Sequence, residues 1–448
     1  MRFHDEFWNT SLEVLSDMEQ KGILIDKSYL ALKADAAEIE VLSLEQRLAH
    51  WSHDYDRMTE CTLNWNSPVQ VAAFLYDFKN FPIPKVIGTL SATKRNRKKE
   101  RSTSEAAIDW LSKNTSCKEQ LRVLLEMKKT SKLVQFMHKL PAMCGTDGRL
   151  RCSIGPSTDT GRLNCSKPNL QQIPVRNDKF GIRKGFVARD GCSLIVADYS
   201  QLEMYVLAHF LLHFVNDDSL ANDLLSGDVH TNTAFRLWGD ELRALGATPD
   251  TIKNREETKR FRSNAKTVNY AIPYGKTAVG LGAQITDVNG RPIGKAAAQD
   301  ILDEYFEAYT GMGELFDGWK NEARRTGYVH TLLGRTRPIP EAASENQWER
   351  WSGERKAVNT WVQGSAADIV TAAMMRCVGV GPTSEGISPV RADLLLQVHD
   401  ELIFEVETEH ADGVCGIIKT RMENPFRAPL KIQLVVDAQI GNSWGECK

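Results

Sequence analysis

The stretch LLLQVHDELIFEV, residues 394–406, sets two apolar, strand-like runs around a polar corner of His399, Asp400 and Glu401. That pattern predicts a β-hairpin. Two-residue hairpin turns need positive φ and favour Asn-Gly or Asp-Gly, whereas adjacent carboxylates add little to folding and repel each other. The pair makes sense where a divalent cation sits over the corner. Standing alone, the segment reads as a solvated hairpin tip.

It does not stand alone. In SLIVADYSQLEMY, residues 193–205, an apolar strand over 194–197 ends on Asp198. Ser200 and Glu203 have the S-x-x-E spacing of a capping box, which predicts a helix start with Glu203 as a cap. A charge at the end of a buried strand is costly unless it is paired or metal-bound. Asp198 and Asp400, meeting at one sheet edge, could chelate two divalent cations and clamp an in-line phosphoryl transfer.

Between them RSNAKTVNYAIPYG, residues 262–275, repeats Arg262, Lys266, Tyr270 and Tyr274 at four-residue spacing. Each step advances only ~40° around a helix, so the four form one slanting stripe. Two cations and two rings suit a triphosphate followed by a sugar and base; a solvated basic face with two packing tyrosines is the plainer reading. Pro273 should kink or end the helix just before Tyr274. Two imitations are set aside. Gly275-Lys276-Thr277 resembles the end of a P-loop, but the first glycine would fall on Tyr270. His4-Asp5-Glu6 repeats the HDE string with no strand before it.

The 448 residues suffice for about three domain-sized units. At 42% hydrophobic and 25% charged, with net charge −2, the chain has a globular composition and is no uniformly basic nucleic-acid binder. No apolar run reaches the ~18 to 20 residues of a membrane helix, and MRFHDEFWNT resembles neither a signal nor a transit peptide. Nine scattered cysteines without a CxxC pair point to reduced intracellular thiols, not to a disulfide framework or a zinc site. Charge is concentrated locally in KRNRKKER, 94–101, and in Lys128, Lys129, Lys132 and Lys139, as a solvated face or a phosphate grip.

Helical spacing runs over 7–50 with a turn at Lys21-Gly22. Pro82, Pro84, Gly88 and the basic run mark an exposed tip. Ser102 with Glu105 predicts a capping box opening a helix through Leu111, and a further helix runs from Cys117 to about Leu140, where Pro141 stops it. Turn-rich sequence with short strands follows, then helices over about 194–370, then strands again around a helix near 408–423. The pattern is a discontinuous α+β domain with helical appendages.

ADYSQLE, RxxxKxxxYxxxYG and QVHDE, in that order, resemble the motifs of family A (bacterial polymerase I-like) DNA polymerases. TGRL with PNLQQIPVR (160–176), DVHTNTA (228–234), GRTRPIP (334–340) and ERKAVNTWVQGSAADI (354–369) agree, so the resemblance covers nearly the whole chain. It implies a right-hand α+β fold with an antiparallel palm sheet and helical fingers and thumb. Residues 1–145 would be N-terminal helices and thumb, 146–205 and 341–448 palm, and 206–340 fingers. It also implies template-directed DNA synthesis with two magnesium ions (manganese substituting), on primer-template DNA and dNTPs. A separate exonuclease or other replication proteins would be further partners, no membrane would be involved, and the setting would be the cytoplasm of a bacterium or phage-infected host.

By resemblance, Asp198 and Asp400 ligate the metals, with the Tyr199 carbonyl assisting and Glu401 auxiliary. His230, Arg262 and Lys266 hold the triphosphate with Gln201 close by, Tyr270 packs on the sugar, and Tyr274 with Gly275 sits at the templating position. Glu203 gates against a 2′-hydroxyl. Arg162, Asn169, Gln171, Arg355, Asn359, Gln363, Gln397 and His399 track the primer-template. Three residues depart from the family's pattern. Tyr205 stands where the bacterial enzymes have arginine, which weakens any template or phosphate contact there. Tyr270 replaces phenylalanine and implies ready acceptance of dideoxynucleotides, and Pro273 is unusual in the fingers helix. Because the chain starts at about the thumb, 3′→5′ proofreading and 5′-nuclease activity are expected to be missing from it. The rivals are a single-subunit RNA polymerase, which Glu203 and Glu401 disfavour; a non-catalytic nucleic-acid-binding replication factor; and a metal-dependent nuclease, which needs no triphosphate stripe.

Overall fold

The computed structural model describes residues 2–84, 101–156, 158–174, 178–384 and 386–447. KRNRKKER except Arg101, together with Gly88, Val175 and Arg176, lies outside the described residues, as do the side chains of His4 and Asp5.

The chain opens with α1 (Arg2–Lys21), β1 (Ile23–Ile25) and the long α2 (Lys27–Thr59). Gly22 makes the first turn at φ +63°, a region where other side chains are strained. After α3 (Pro68–Ala72) come α4 (Glu105–Asn114) and α5 (Lys118–Ala142). The cap of α4 is Ser104, whose side chain accepts from the Ala107 amide, while Ser102 bonds Ser104. The expected Ser102–Glu105 capping box is therefore displaced by a nearer serine. Pro141 falls inside the last turn of α5 and does not stop it short.

Short strands follow: β2 (Arg149–Leu150), β3 (Ser153–Gly155), β4 (Asn164–Ser166) and β5 (Phe186–Val187). Then come β6 (Cys192–Tyr199) and α6 (Leu202–Phe210). The helical insertion holds α7 (Ser219–Leu225), α8 (Val229–Ala244), α9 (Glu256–Ala271), α10 (Ala278–Gly282), α11 (Gly294–Ala308) and α12 (Thr310–Thr326). A small hairpin, β7 (Tyr328–His330) and β8 (Thr336–Pro338), precedes α13 (Gln347–Asn359) and α14 (Ser365–Val378). The chain closes with β9 (Asp393–Val398), β10 (Glu401–Glu407), α15 (Ala411–Glu423) and β11 (Val436–Gly441).

The sheet that matters for chemistry is wholly antiparallel, in the order β11-β6-β10-β9. Its two inner strands are buried along nearly their whole length, with apolar runs at 194–197 and 402–404, as strands covered on both faces must be. α14, buried almost all round, runs through the core beside it. The largest core cluster joins this sheet to α1, to α6 and to much of the insertion. Residues 7–30 belong to that core, whereas Leu44 to Met127 form a second cluster of their own. The N-terminal arm is therefore divided within α2. The α+β organisation inferred from the alternation of helix and strand patterns is the one observed.

Candidate active site

The hairpin turn is two residues long, with His399 at φ +58° and Asp400 after it; Glu401 is already the first residue of β10. Asp198 sits one residue from the end of β6 and pairs in register with Glu401 across the sheet. The Tyr199 amide donates to the Asp400 carbonyl at 3.2 Å, tying the two chain segments together. Sequence positions two hundred residues apart thus reach one corner because the β6–β10 register allows it. The Tyr199 ring points away, its hydroxyl donating to the Met422 carbonyl at 2.6 Å.

The corner opens into a cleft of about 430 Å³. Asp198, Asp400, Gln201, Glu203, Tyr270 and Tyr274 line it together with His399, Glu401, Arg162 and Arg183. Burial pushes the Asp400 carboxyl above its ordinary value, against the pull of Arg162 and His399. A carboxylate under-compensated in this way, set beside a second hard-oxygen group, suits a divalent cation.

The two carboxylates of the HDE corner do different work. Glu401, 3% exposed, accepts from the Trp444 indole at 2.5 Å and from Arg183 at 3.4 Å, and the Arg183 guanidinium lies 3.8 Å from the Trp444 ring. Burial lowers the Arg183 pKa, and Glu401 opposes that shift. Neither Arg183 nor Trp444 carries a local motif, since both come from elsewhere in the chain. Only the fold could reveal them.

At the start of α6 the expected capping box is absent. Gln201, at φ +53°, is the N-cap and makes no side-chain cap bond. Glu203 is turned inward, where it accepts from Arg162 and, at 3.0 Å, from the Tyr274 hydroxyl, and Gln363 also favours its ionised form. Burial raises its pKa despite those donors. Tyr205 is packed in the core. α9 ends at Ala271, so Pro273 lies just past it as expected, and Gly275 turns at φ +62°. Arg262, Lys266 and Tyr270 share the helix face, and the Lys266 ammonium is 5.9 Å from the Tyr270 ring centre. Arg262 is held by Asp228 at 2.6 Å, and His230 lies against Tyr270 with ring centres 5.6 Å apart.

The remaining expected residues are not among those lining this cleft. Asn169 caps a short 3-10 turn, Gln171 reaches Gln397 at 3.4 Å, and Gln397 donates to the His399 carbonyl. Asn359 donates to Gln363 at 3.3 Å. Among the described residues, the Gln201 Oε1 and Asn359 Oδ1 atoms are buried without a protein partner, as expected for groups reserved for a ligand. Gly275 and Arg355 line a neighbouring hollow of about 360 Å³. In the N-terminal arm, Lys129 pairs with Glu105 and Arg101 with Asp77, so the described basic residues of the arm are partly neutralised. Glu407, Glu409 and His410 lie close enough together to hold a metal, but at the opposite end of β10 from Glu401.

The profile of DNA polymerase family A matches residues 35–446. The thermostable DNA polymerase I of Thermus thermophilus is 33% identical over 442 residues, covering 97% of this chain and 47% of the relative. The DNA polymerase I of Pseudomonas aeruginosa is 32% identical over 437 residues, with 97% and 43% covered. The chain spans about half the length of the curated relatives it matches. Among solved structures, the POL domain of an M. smegmatis polymerase in complex with DNA primer-template and dNTP superposes with a TM-score of 0.78. It is 28% identical and covers 98% of this chain and 70% of that one. No described helix is long and apolar enough to cross a membrane.

Proposed function

The chain belongs to DNA polymerase family A, and from that premise we propose that it extends a primer 3′-hydroxyl with dNTPs under the direction of a template strand. The observation that carries this reading is the convergence of Asp198 and Asp400 beside Tyr270 and Glu203, with the Arg262 and Lys266 cations on the same helix as the ring.

Asp198 and Asp400 would hold two magnesium ions, with manganese able to substitute and the Tyr199 carbonyl assisting. Bound there, the ions supply activation of the 3′-hydroxyl and neutralisation of the leaving pyrophosphate. The chain's own residues do the rest. Lys266, Arg262 and His230 would grip the triphosphate, with Arg262 exchanging its Asp228 partner for a phosphate oxygen. Tyr270 would pack on the sugar, and Glu203, fixed by Arg162 and Tyr274, would occupy the space a 2′-hydroxyl needs. Tyr274 and Gly275 would meet the templating base. Arg162, Asn169, Gln171, Arg355, Asn359, Gln363, Gln397 and His399 would line the primer-template path. In this reading 206–340 forms the fingers and 146–205 with 341–448 the palm. The thumb narrows to the second core cluster, because residues 7–30 pack with the palm. The enzyme would act in the cytoplasm of a bacterial or phage-infected cell.

The test is extension of a labelled primer with magnesium, comparing dNTPs, rNTPs and ddNTPs, with Asp198→Asn alongside. Magnesium-dependent dNTP incorporation that Asp198→Asn abolishes is expected. Undiminished synthesis by Asp198→Asn would sink the assignment.

A further inference from the structure

A buried chain of hydrogen bonds crosses the helical insertion and ends on His230. It begins at Asp223 of α7, which pairs with Arg236 of α8 through contacts of 2.7 and 2.9 Å. The Tyr309 hydroxyl, between α11 and α12, donates to the same carboxylate at 2.7 Å. With its proton so committed, the Tyr309 oxygen can only accept from Thr233, which is 3.0 Å away. Thr233 also lies 2.8 Å from the Val229 carbonyl. The Asn269 Oδ1 lies 3.2 Å away as a third acceptor; when the Val229 carbonyl or Tyr309 takes the proton, the Thr233 oxygen is left to accept.

Asn269 of α9 supplies that donor, for its amide nitrogen lies 3.0 Å from the Thr233 oxygen. The same nitrogen lies 3.0 Å from His230 Nδ1. Thr233, Asn269 and Tyr309 are fully buried, and Asp223 and His230 nearly so, leaving little water to substitute for a lost partner. An amide N–H aimed at Nδ1 requires a lone pair there.

We propose that Asn269, oriented by the Asp223–Tyr309–Thr233 chain, is a positioning residue that holds His230 as the tautomer with its hydrogen on Nε2. That tautomer lets a neutral imidazole donate to a triphosphate oxygen, so the inference rests on the reading of His230 given above and deepens it. The groups facing the ring are Asp228 at the start of its own helix, Arg262, Lys266 and Asn269 from α9, and Tyr270 beside it. Burial lowers the His230 pKa to about 4, with Lys266 and Arg262 adding to the shift and Asp228 opposing it. At neutral pH the ring therefore donates only through the nitrogen that Asn269 leaves protonated.

The experiment is ¹⁵N NMR of the full chain labelled at histidine, with the His230 signals assigned by their loss in His230→Gln. Wild type should show the Nε2-protonated form from about pH 6 to 8. In Asn269→Asp the carboxylate cannot donate, so Nδ1 takes the proton and the imidazole becomes more basic. The KM for dNTP should then rise about tenfold above the new His230 pKa and recover below it, where the imidazolium again donates from Nε2. Wild type should lack this limb. Thr233→Val keeps the volume but removes the oxygen that orients Asn269, and should give mixed tautomers even if Asn269→Asp folds poorly. A wild-type ring protonated on Nδ1, or an unchanged tautomer in the variants, would overturn the proposal. Because the tautomer is read without substrate, failure of wild type to extend a primer would overturn only the polymerase reading.

Discussion

Exchanging Asp400 and Glu401, one at a time, for their amides should separate two adjacent carboxylates that sequence alone treats as a pair. Asp400 is half-buried and makes no ion pair among the described residues, and desolvation raises its pKa against the pull of Arg162 and His399. Its carboxylate therefore opposes folding. The sign follows from linkage: a folded pKa above the unfolded value means that ionisation costs stability, the cost appearing as pH rises from the unfolded to the folded pKa. Asp400→Asn removes that cost, so at neutral pH the melting temperature should stay level or rise. Extension should fall by about a thousandfold or more, the scale of losing a group that binds charge only in the reacting complex. Glu401→Gln acts in the opposite sense. It removes the paired carboxylate from Arg183, which is 4% exposed and still donates to the Ile173 and Pro174 carbonyls at 3.3 and 3.2 Å. Breaking a buried pair from one side costs about 3 to 5 kcal/mol; because glutamine still accepts from Trp444, roughly 2 to 4 is expected here. That corresponds to a melting temperature lower by roughly 2 to 4 °C, with extension in the cold reduced less than about tenfold. Millimolar magnesium or manganese should raise the melting temperature of wild type and Glu401→Gln but not of Asp400→Asn. Calorimetry with and without metal, beside primer extension, decides the matter. An active Asp400→Asn, or a Glu401→Gln that melts like wild type and makes no DNA, would refute the division of labour.

Asp228→Asn keeps the side-chain oxygen that accepts from the His230 amide but removes the charge holding Arg262 and Lys253. Arg262 then has no anion to surrender, so the KM for dNTP should fall by about two- to fivefold, measured by steady-state extension. Glu203→Ala should open the space beside Tyr270 and cut discrimination against rNTPs by at least about tenfold, read as the ratio of rNTP to dNTP incorporation efficiency. Gly275→Ala puts a methyl group 2.6 Å from Arg355 Cγ at a φ of +62°. The left-handed conformation alone costs roughly 1 to 2 kcal/mol. Primer-template affinity by fluorescence anisotropy should drop by roughly tenfold, and an unchanged Kd would remove Gly275 and Arg355 from the template path.

Three parts of the site were legible in sequence because each is a local pattern. Alternating runs around residues 399–400 announced the hairpin, an apolar run ending on Asp198 announced the second strand, and four-residue spacing announced the α9 stripe. Register then brought them together, and register cannot be read from one strand. The two capping-box expectations failed for a shared reason: S-x-x-E is a short pattern, and tertiary contacts outweighed it. Ser104 lay nearer the start of α4 than Ser102, and Glu203 found Arg162, Tyr274 and Gln363 inside the protein. Some stretches that resembled functional motifs turn out to be latches. Arg335 of GRTRPIP bonds Asp368 of QGSAADI at 3.2 Å and the Thr160 carbonyl at 2.6 Å. A side chain on Gly161 would meet that guanidinium at 2.6 Å. The partners that orient the site, namely Arg183, Trp444, Asp223 and Tyr309, carried no local signal, because contacts between distant elements leave no period in the sequence.

The structure also shows how so many charges can line one cleft without unfolding it. Arg162, Glu203, Tyr274 and Gln363 satisfy one another, Arg262 rests on Asp228, and Glu401 rests on Arg183 and Trp444. A naked buried ion costs several kcal/mol, more than most single contacts return. By holding its cations on protein carboxylates, the chain avoids that cost. Phosphate binding then exchanges one anion for another and desolvates no bare charge. Asp400 makes no such ion pair among the described residues, and it accordingly bears the raised pKa. Selectivity for a divalent cation over a side-chain cation follows from that difference. Arg162 approaches Asp400 closely enough to lower its pKa but is committed to Glu203. A variant that released Arg162, such as Glu203→Ala, should therefore let the guanidinium compete with metal at Asp400. It should raise the magnesium concentration needed for half-maximal extension by about two- to fivefold. An unchanged magnesium requirement would show that Arg162 does not reach the metal corner even when released.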